Sequence, residues 1–401
     1  MPVESIWDRA NAQLHDLAVY QPGKPIEETA RELGCEPEKI IKLASNENPL
    51  GPSSKAIAAM REAIEKAHLY PDGGAFYLRS AIAKKLNITP DHIILGNGSN
   101  EIIELLAHAF VERGDAIVTS EHAFVAYKII ARVFGAETIE APSRDYGHDV
   151  DAILDAVTDR TEIIFIANPN NPTGTFLSAD EVERFMVRVP PHLIVVFDEA
   201  YYEFVERMPD TLRYVREGRS VVVLRTFSKI HGLASVRVGY GVARPELIEV
   251  LHKTREPFNV NGIGQVGALA ALADQEHQRK TKELTDEGRS YFEKEFSAMN
   301  LRFIPSAGNF ILVNVGDGLS VFRALLERKV IVRLMKGYNL PEWVRITIGT
   351  MEQNRKCIVA LREVLEVRLP ARRESFGTAT GVALSESPTS TPTKLHPPRR
   401  P

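Results

Sequence analysis

Residues 221–229 read VVVLRTFSK. Three valines and a leucine in succession show no polar alternation. Such a run fits a strand covered on both faces, in a parallel or mixed sheet between helix layers. The run ends in polar residues, Thr226, Ser228 and Lys229, and Arg237 follows eight residues after the lysine. A lysine just past a buried strand can be a surface charge, a phosphate ligand or a nucleophile. The surrounding sequence has to decide.

The same pattern repeats upstream. HIILGN (92–97), AIVTSE (116–121), ETIEAP (137–142), TEIIFIANP (161–169) and LIVVFDEAYY (193–202) are further apolar runs. Helical patterns such as SNEIIELLAHAFVE (99–112) and SADEVERFMVRV (178–189) separate them. This alternation predicts an α/β fold with a mostly parallel mixed sheet flanked by helices. Near Pro257 the pattern changes. GIGQVGALAALAD (262–274), a charged helix over 277–299, strand segments within 301–315, a helix over 319–329, short strands at 330–335 and 343–348, and a last helix over 351–369 predict a smaller α+β domain. The expected division is 1–45 as an N-terminal segment packing on the small domain, 46–262 as the large domain, 263–369 as the small domain, and 370–401 as a tail. The tail is rich in Pro, Ser and Thr, a composition that predicts disorder.

A formal net charge of −4 gives no global basic field for nucleic acid. Two cysteines, Cys35 and Cys357, provide neither a disulfide framework nor metal-ligand spacing. No apolar run approaches the ~20 residues that span a bilayer, and the early acids of MPVESIWDRANAQLHD do not make a secretory signal. The expectation is a soluble, cytoplasmic protein.

Three other strand ends collect polar residues, and ligands of open α/β sheets bind outside the carboxyl ends of strands. In GNGSNE (96–101), Ser99 or Asn100 can cap the next helix, and the free N–H groups there suit a phosphate. A plain capped turn is an equal alternative. In NPNNPTGT (168–175) the asparagines bond either a ligand or their own backbone. In FDEAYYEF (197–204), Asp198 ends a buried strand, where an acid needs a metal, an arginine or a protonated heterocycle. A helix N-cap is the alternative there. Together with Lys229, these ends point to a phosphate-bearing, nitrogen-containing cofactor beside a lysine able to form a Schiff base. Arg237 offers a planar fork for the phosphate, and Thr226 and Ser228 add hydroxyl donors.

Taken jointly, NNPTG (170–174), DEAYYEF (198–204) and the Ser-Lys pair with an arginine eight residues on resemble the aspartate-aminotransferase-like family of pyridoxal 5′-phosphate enzymes, over roughly residues 15–368. YQPGKP (20–25), KLASNENPLGPS (42–53), YPDGGAFYLRSAIA (70–83), GNGSNEII (96–103) and VRITIGT (344–350) are similar to its histidinol-phosphate aminotransferase branch. The resemblance implies that Lys229 bonds the cofactor aldehyde and then serves as general base and acid. It implies that Asp198 pairs with the ring nitrogen, that Tyr201 and Asn171 bond the ring oxygen, and that Phe124 stacks on the ring. Ser99, Asn100, Ser228 and Arg237 match the phosphate cup. Tyr70 matches a phosphate ligand lent by a neighbouring subunit, which implies a homodimer. Arg345 matches the residue that holds the substrate's acidic end, and Asn46, Tyr20 and Arg333 match other substrate-pocket positions.

The implied reaction is transamination between histidinol phosphate and 2-oxoglutarate, giving imidazole acetol phosphate and glutamate, in histidine biosynthesis. An aromatic amino-acid aminotransferase and a decarboxylase of phosphorylated amino acids share these motifs and remain alternatives. Ser235 stands where the family usually has glycine. His231 stands in a common aromatic position and is expected to pack near the cofactor phosphate. A transcription regulator's effector domain is disfavoured because no basic recognition helix precedes residue 40. A nicotinamide-binding reading fails because GNGSNE lacks the third glycine.

Overall fold

A computed structural model describes residues 5–19 and 23–366. Its larger sheet has seven strands: β1 (Ile93–Asn97), β2 (Ala116–Ser120), β3 (Glu137–Ala141), β4 (Thr161–Ala167), β5 (Ile194–Asp198), β6 (Val221–Thr226) and β7 (Val238–Val242). Their order across the sheet is β1-β7-β6-β5-β4-β2-β3. Strand β7 is antiparallel to both neighbours and the other pairings are parallel. The α/β expectation with a mostly parallel mixed sheet holds.

Burial on both faces accounts for the unbroken apolar runs. Val221 and Val223 join one core with Val195 and Phe197. Val222 and Leu224 point the other way, into a core with Val196 and Phe165. Helices α1 (Ser99–Phe110) and α2 (Ala126–Phe134) cover that second face through Ile102, Leu106, Tyr127 and Ala131.

The sequence reading contains no strand at 238–242, because Gly239 and Gly241 dilute its β pattern. Gly239 is required for space: a Cβ there would overlap the backbone of Gly98 and Ser99 at the start of α1. The reversed direction of β7 matters for the site. The parallel strands deliver their carboxyl ends to one edge, and β7 begins there. Ala167 lies opposite Asp198, and Val238 lies opposite Asn97. Arg237, just before β7, therefore joins Asn97, Asp198 and Thr226 at that edge.

A second, antiparallel sheet contains β8 (Phe303–Ile304), β9 (Phe310–Asn314), β10 (Arg333–Leu334) and β11 (Trp343–Thr347), in the order β8-β9-β11-β10. Helices α3 (Gln275–Ala298) and α4 (Met351–Glu366) cover it through Phe292, Phe296, Cys357 and Leu361. The strand expected over 330–335 is two pieces. Val330–Ile331 pairs in parallel with Ile41–Lys42, whereas Arg333–Leu334 pairs with β11. The chain before residue 45 is thus tied to this sheet: Leu43 N donates to Ile331 O at 2.7 Å, and Ala30, Ile40, Ala44 and Ile331 share a cluster. Gln13 instead lies against α2, its Nε2 donating to Val133 O at 3.2 Å. Among the described residues no helix is long and apolar enough to cross a membrane. The 370–401 tail and Tyr20 lie outside the described residues.

Candidate active site

The strand edge and the second sheet enclose a cavity of about 310 Å³. Asp198, Thr226, Ser228 and Lys229 reach it from the ends of β5 and β6. Ser99 and Asn100 reach it from the first turn of α1, Phe124 from the loop before α2, and Asn171 from the turn after β4. Tyr201, Arg237 and Asn46 complete the wall, and Arg333 and Arg345 enter from β10 and β11. Tyr70 is not in this wall. The residue is 84% exposed, and its ring stacks on Phe258 with centroids 4.9 Å apart.

Asp198 is buried, and its two oxygens differ. Oδ2 accepts a 2.7 Å hydrogen bond from the Tyr127 hydroxyl. Oδ1 has no hydrogen-bond partner among the described residues. Burial is the largest influence on this carboxyl and pushes its pKa up; the Tyr127 hydrogen bond, the Ala200 backbone N–H and the Lys229 charge pull it back. Asp198 ends a strand and caps no helix, so the N-cap alternative is excluded. A buried acceptor left without a donor is costly, so Oδ1 fits a ligand that brings a charged N–H.

The Lys229 amine is pushed down to about 8, first by burial and then by the Arg345 guanidinium, while Glu47 pulls it up. Its Nζ donates to Ser45 O at 3.4 Å. Near neutral pH a larger share of this amine is unprotonated than in a free lysine, which suits a nucleophile or base.

At the start of α1 the side-chain cap, the alternative to a phosphate site there, is absent. Gly98, at φ 79°, is the N-cap of α1 and no side chain caps the helix, so the first-turn N–H groups face the cavity. A Cβ on Gly98 would overlap the Arg237 guanidinium. Arg237 itself has φ 55°, and its Nη1 donates to Ser228 Oγ at 3.4 Å and Ala234 O at 3.2 Å. Backbone N–H groups, hydroxyls and a guanidinium converging on one point form an anion site. The unpartnered Asp198 oxygen and this cradle, in the wall of one cavity, fit the phosphate-bearing, protonated-nitrogen cofactor implied by the resemblance.

The asparagine turn divides its labour. Asn168 Oδ1 accepts from Leu177 N at 2.8 Å, and Asn170 Nδ2 donates to His122 O at 2.9 Å. These two hold the turn. Asn171 faces the cavity, and its Oδ1 accepts from Arg345 Nη1. Arg345 Nη2 donates to Ala44 O at 2.9 Å, and Asn46 Nδ2 donates to the Tyr201 hydroxyl at 2.8 Å. The guanidinium plane of Arg345 is therefore set by fixed acceptors.

His231 does not line the cavity but is turned into the core, 4.8 Å from the Phe227 ring, with Nε2 3.8 Å from Glu203 Oε1. Burial pushes its imidazole down to about 3. Two residues were not singled out from the sequence. Tyr127 reads as an apolar-face helix residue, and its proximity to Asp198 follows only from the fold. Glu47 lines the cavity and pairs with Lys42 at 2.9 Å; its place in NENP gives no separate signal.

A family model described as aminotransferase class I and II matches residues 38–361. A histidinol-phosphate aminotransferase of Akkermansia muciniphila is 52% identical over 366 residues, covering 91% of this chain and all of that protein. One from Moorella thermoacetica is 48% identical over 350 residues, covering 86% of this chain and 90% of that one. The crystal structure of the Sinorhizobium meliloti histidinol-phosphate aminotransferase in complex with pyridoxal-5′-phosphate superposes with a TM-score of 0.81 at 27% identity, over 90% of this chain and 98% of the other.

Proposed function

This chain belongs to the class I and II aminotransferases, and from that premise we propose that it transfers the amino group of histidinol phosphate to 2-oxoglutarate with pyridoxal 5′-phosphate, in histidine biosynthesis. The observation that carries the reading is a single cavity holding the Lys229 amine, the unpartnered Asp198 oxygen and two arginines, Arg333 and Arg345.

The cofactor supplies an aldehyde that condenses with amines and a protonated ring that draws electrons from the carbon bearing the substrate nitrogen. Lys229 would anchor it, Asp198 would hold the ring N–H, and Asn171 and Tyr201 would meet the ring oxygen. Phe124 would cover the ring. Ser99, Asn100, Thr226, Ser228 and Arg237 would hold the phosphate. Lys229 Nζ then moves the proton on the substrate's amine-bearing carbon, a role its lowered proton affinity supports. Arg345, with Arg333 and Asn46 beside it, binds the phosphate of one substrate and the carboxylate of the other, since both anions accept two parallel N–H bonds. In this reading residues 46–262 bind the cofactor, and residues 263–369 add substrate contacts.

The working form is a homodimer in which each chain lends Tyr70 to its partner's cavity. What supports this is that Tyr70 is exposed and outside its own cavity, stacked on the exposed Phe258, and that Leu69, Phe76 and Tyr77 are exposed as well. We place the enzyme in the cytoplasm with its small-molecule substrates; the unpaired Cys35 and Cys357 are compatible with a reducing compartment.

The test is the visible spectrum of the purified protein, followed by kcat/KM with histidinol phosphate and with phenylalanine. The yellow chromophore should bleach on histidinol phosphate and return with 2-oxoglutarate, and Lys229→Ala should bind cofactor without turnover. A large preference for phenylalanine would overturn the substrate assignment.

A further inference from the structure

The Asp198 carboxylate has one oxygen committed and one open. The committed oxygen, Oδ2, is held by Tyr127 at 2.7 Å. Tyr127 does not line the cavity. It sits behind Asp198 on α2, fully buried. Its ring stacks on Phe165 of β4, with centroids 4.5 Å apart and planes 10° from parallel. It also meets edge-on the ring of Phe124, which does line the cavity. The phenol is thus clamped by packing, and its hydroxyl has a fixed direction.

Resting on the cofactor assignment above, we infer that Tyr127 is a positioning residue: its hydroxyl pins Asp198 Oδ2 and keeps the carboxylate anionic, so that Oδ1 holds the proton on the cofactor's ring nitrogen. The physical argument concerns where one proton resides. In a water-poor site a carboxylate facing a ring N–H can keep its charge or take the proton and leave the ring neutral. Burial favours the neutral pair. A hydroxyl donated to the other oxygen favours the charged pair, because a hydrogen bond to a carboxylate stabilises the anion over the acid. The effect of Tyr127 on Asp198 has that direction. Without the hydroxyl the proton moves toward Oδ1, the ring becomes a weaker electron sink, and Asp198 gains freedom to rotate. Tyr127 touches neither substrate nor cofactor and acts entirely through Asp198.

Tyr127→Phe tests this while keeping the ring, its stack and nearly all its volume. The holoenzyme is reconstituted with cofactor labelled with 15N in the ring, and the nitrogen shift is read across pH. In the wild type it should report a protonated nitrogen near neutral pH. In Tyr127→Phe it should move toward the unprotonated value, with the cofactor dissociation constant up about 10-fold and kcat down about 10- to 100-fold. KM should change by no more than about 2-fold, because the substrate contacts are untouched. Phe165→Leu loosens the stack but keeps the hydroxyl, and it should retain the protonated nitrogen. A nitrogen that stays protonated in Tyr127→Phe would overturn the inference. So would an equal loss of protonation in Phe165→Leu, which would assign the effect to packing. The nitrogen shift and the dissociation constant need no substrate. If the wild type failed to turn over histidinol phosphate, the substrate assignment would fall while these two readouts still decided the role of Tyr127.

Discussion

Arg225 and Glu199 form an ion pair sealed behind the cavity, with Nε and Nη2 of the arginine 2.9 and 2.8 Å from the same carboxylate oxygen. Each is the chain neighbour of a cavity residue: Glu199 follows Asp198, and Arg225 precedes Thr226. The Thr211 hydroxyl donates to the other Glu199 oxygen, and the Tyr202 ring lies 3.5 Å from the guanidinium carbon. The Glu199 N–H also donates to Leu224 O at 2.9 Å. One buried pair therefore fixes the ends of β5 and β6 relative to each other.

The pair predicts a non-additive mutational effect. Arg225→Met leaves a buried carboxylate without its cation and should cost about 3–5 kcal/mol. The Arg225→Met/Glu199→Leu double variant removes both charges and should recover most of that loss. Urea midpoints of the wild type, both single variants and the double variant check it. Additive losses would mean that the charges do not depend on one another.

The reactivity of Lys229 should follow pH with a defined direction. Its amine is pushed down to about 8 by burial and Arg345, so in the cofactor-free protein half of it is unprotonated near pH 8. Glu47 opposes this shift. Glu47→Gln should therefore move the midpoint of covalent capture by pyridoxal phosphate to lower pH, and Arg345→Gln should move it to higher pH. Capture rates from pH 6 to 10, with borohydride trapping and peptide mapping to confirm Lys229, measure both. A midpoint indifferent to Glu47 would show that this carboxylate does not act on the amine.

These residues also show which parts of the site could be read from the sequence. Asp198, Asn171 and Lys229 stand directly after β-branched runs, so chain position alone put them on one sheet edge. Strand β7 was not readable because its glycines serve close packing, Gly239 against Ser99 and Gly241 against Ile94 and Ile102, contacts far away in sequence. Tyr127 and Arg225 were missed for a related reason. Each looks like ordinary helix or strand filling, and its meaning lies in a partner, Asp198 or Glu199, that only the folded sheet brings near. The direction of His231 was not readable either, because adjacency to Lys229 in sequence does not fix which way a tight turn points its side chains.

Acid should destabilise the protein partly through His148. The imidazole is buried, with Nδ1 2.6 Å from Ser120 Oγ and Nε2 2.8 Å from Ala167 O. Burial pushes it down from 6.5 to about 4, against the pull of the Ala167 contact. Between those values the unfolded chain binds a proton that the folded chain refuses, so stability falls as pH drops through that window. The full difference is worth about 3 kcal/mol. His148→Asn should be less stable at pH 7 but should show a shallower decline from pH 6.5 to 4.5. Urea unfolding across that range measures the slope, and an unchanged slope would remove His148 from the acid response.

The dimer reading makes a quantitative prediction from Tyr70. Its ring is among the most exposed large side chains described, it stacks on Phe258, and it lies outside its own cavity. If a two-fold partner receives it, Lys229 and Tyr70 of one working site come from different chains. Lys229→Ala chains should be inactive, and Tyr70→Ala chains strongly impaired because their sites lack the borrowed hydroxyl. When the two kinds are unfolded together and refolded, random pairing makes half of the dimers mixed. Each mixed dimer has one site with both residues intact and one with neither, so about a quarter of all sites should regain full activity. A site built entirely within one chain gives a different result: no site in the mixture then contains both residues, and activity stays at the level of the Tyr70→Ala chains. Activity of the refolded mixture, with dimer content checked by sedimentation, separates the two outcomes.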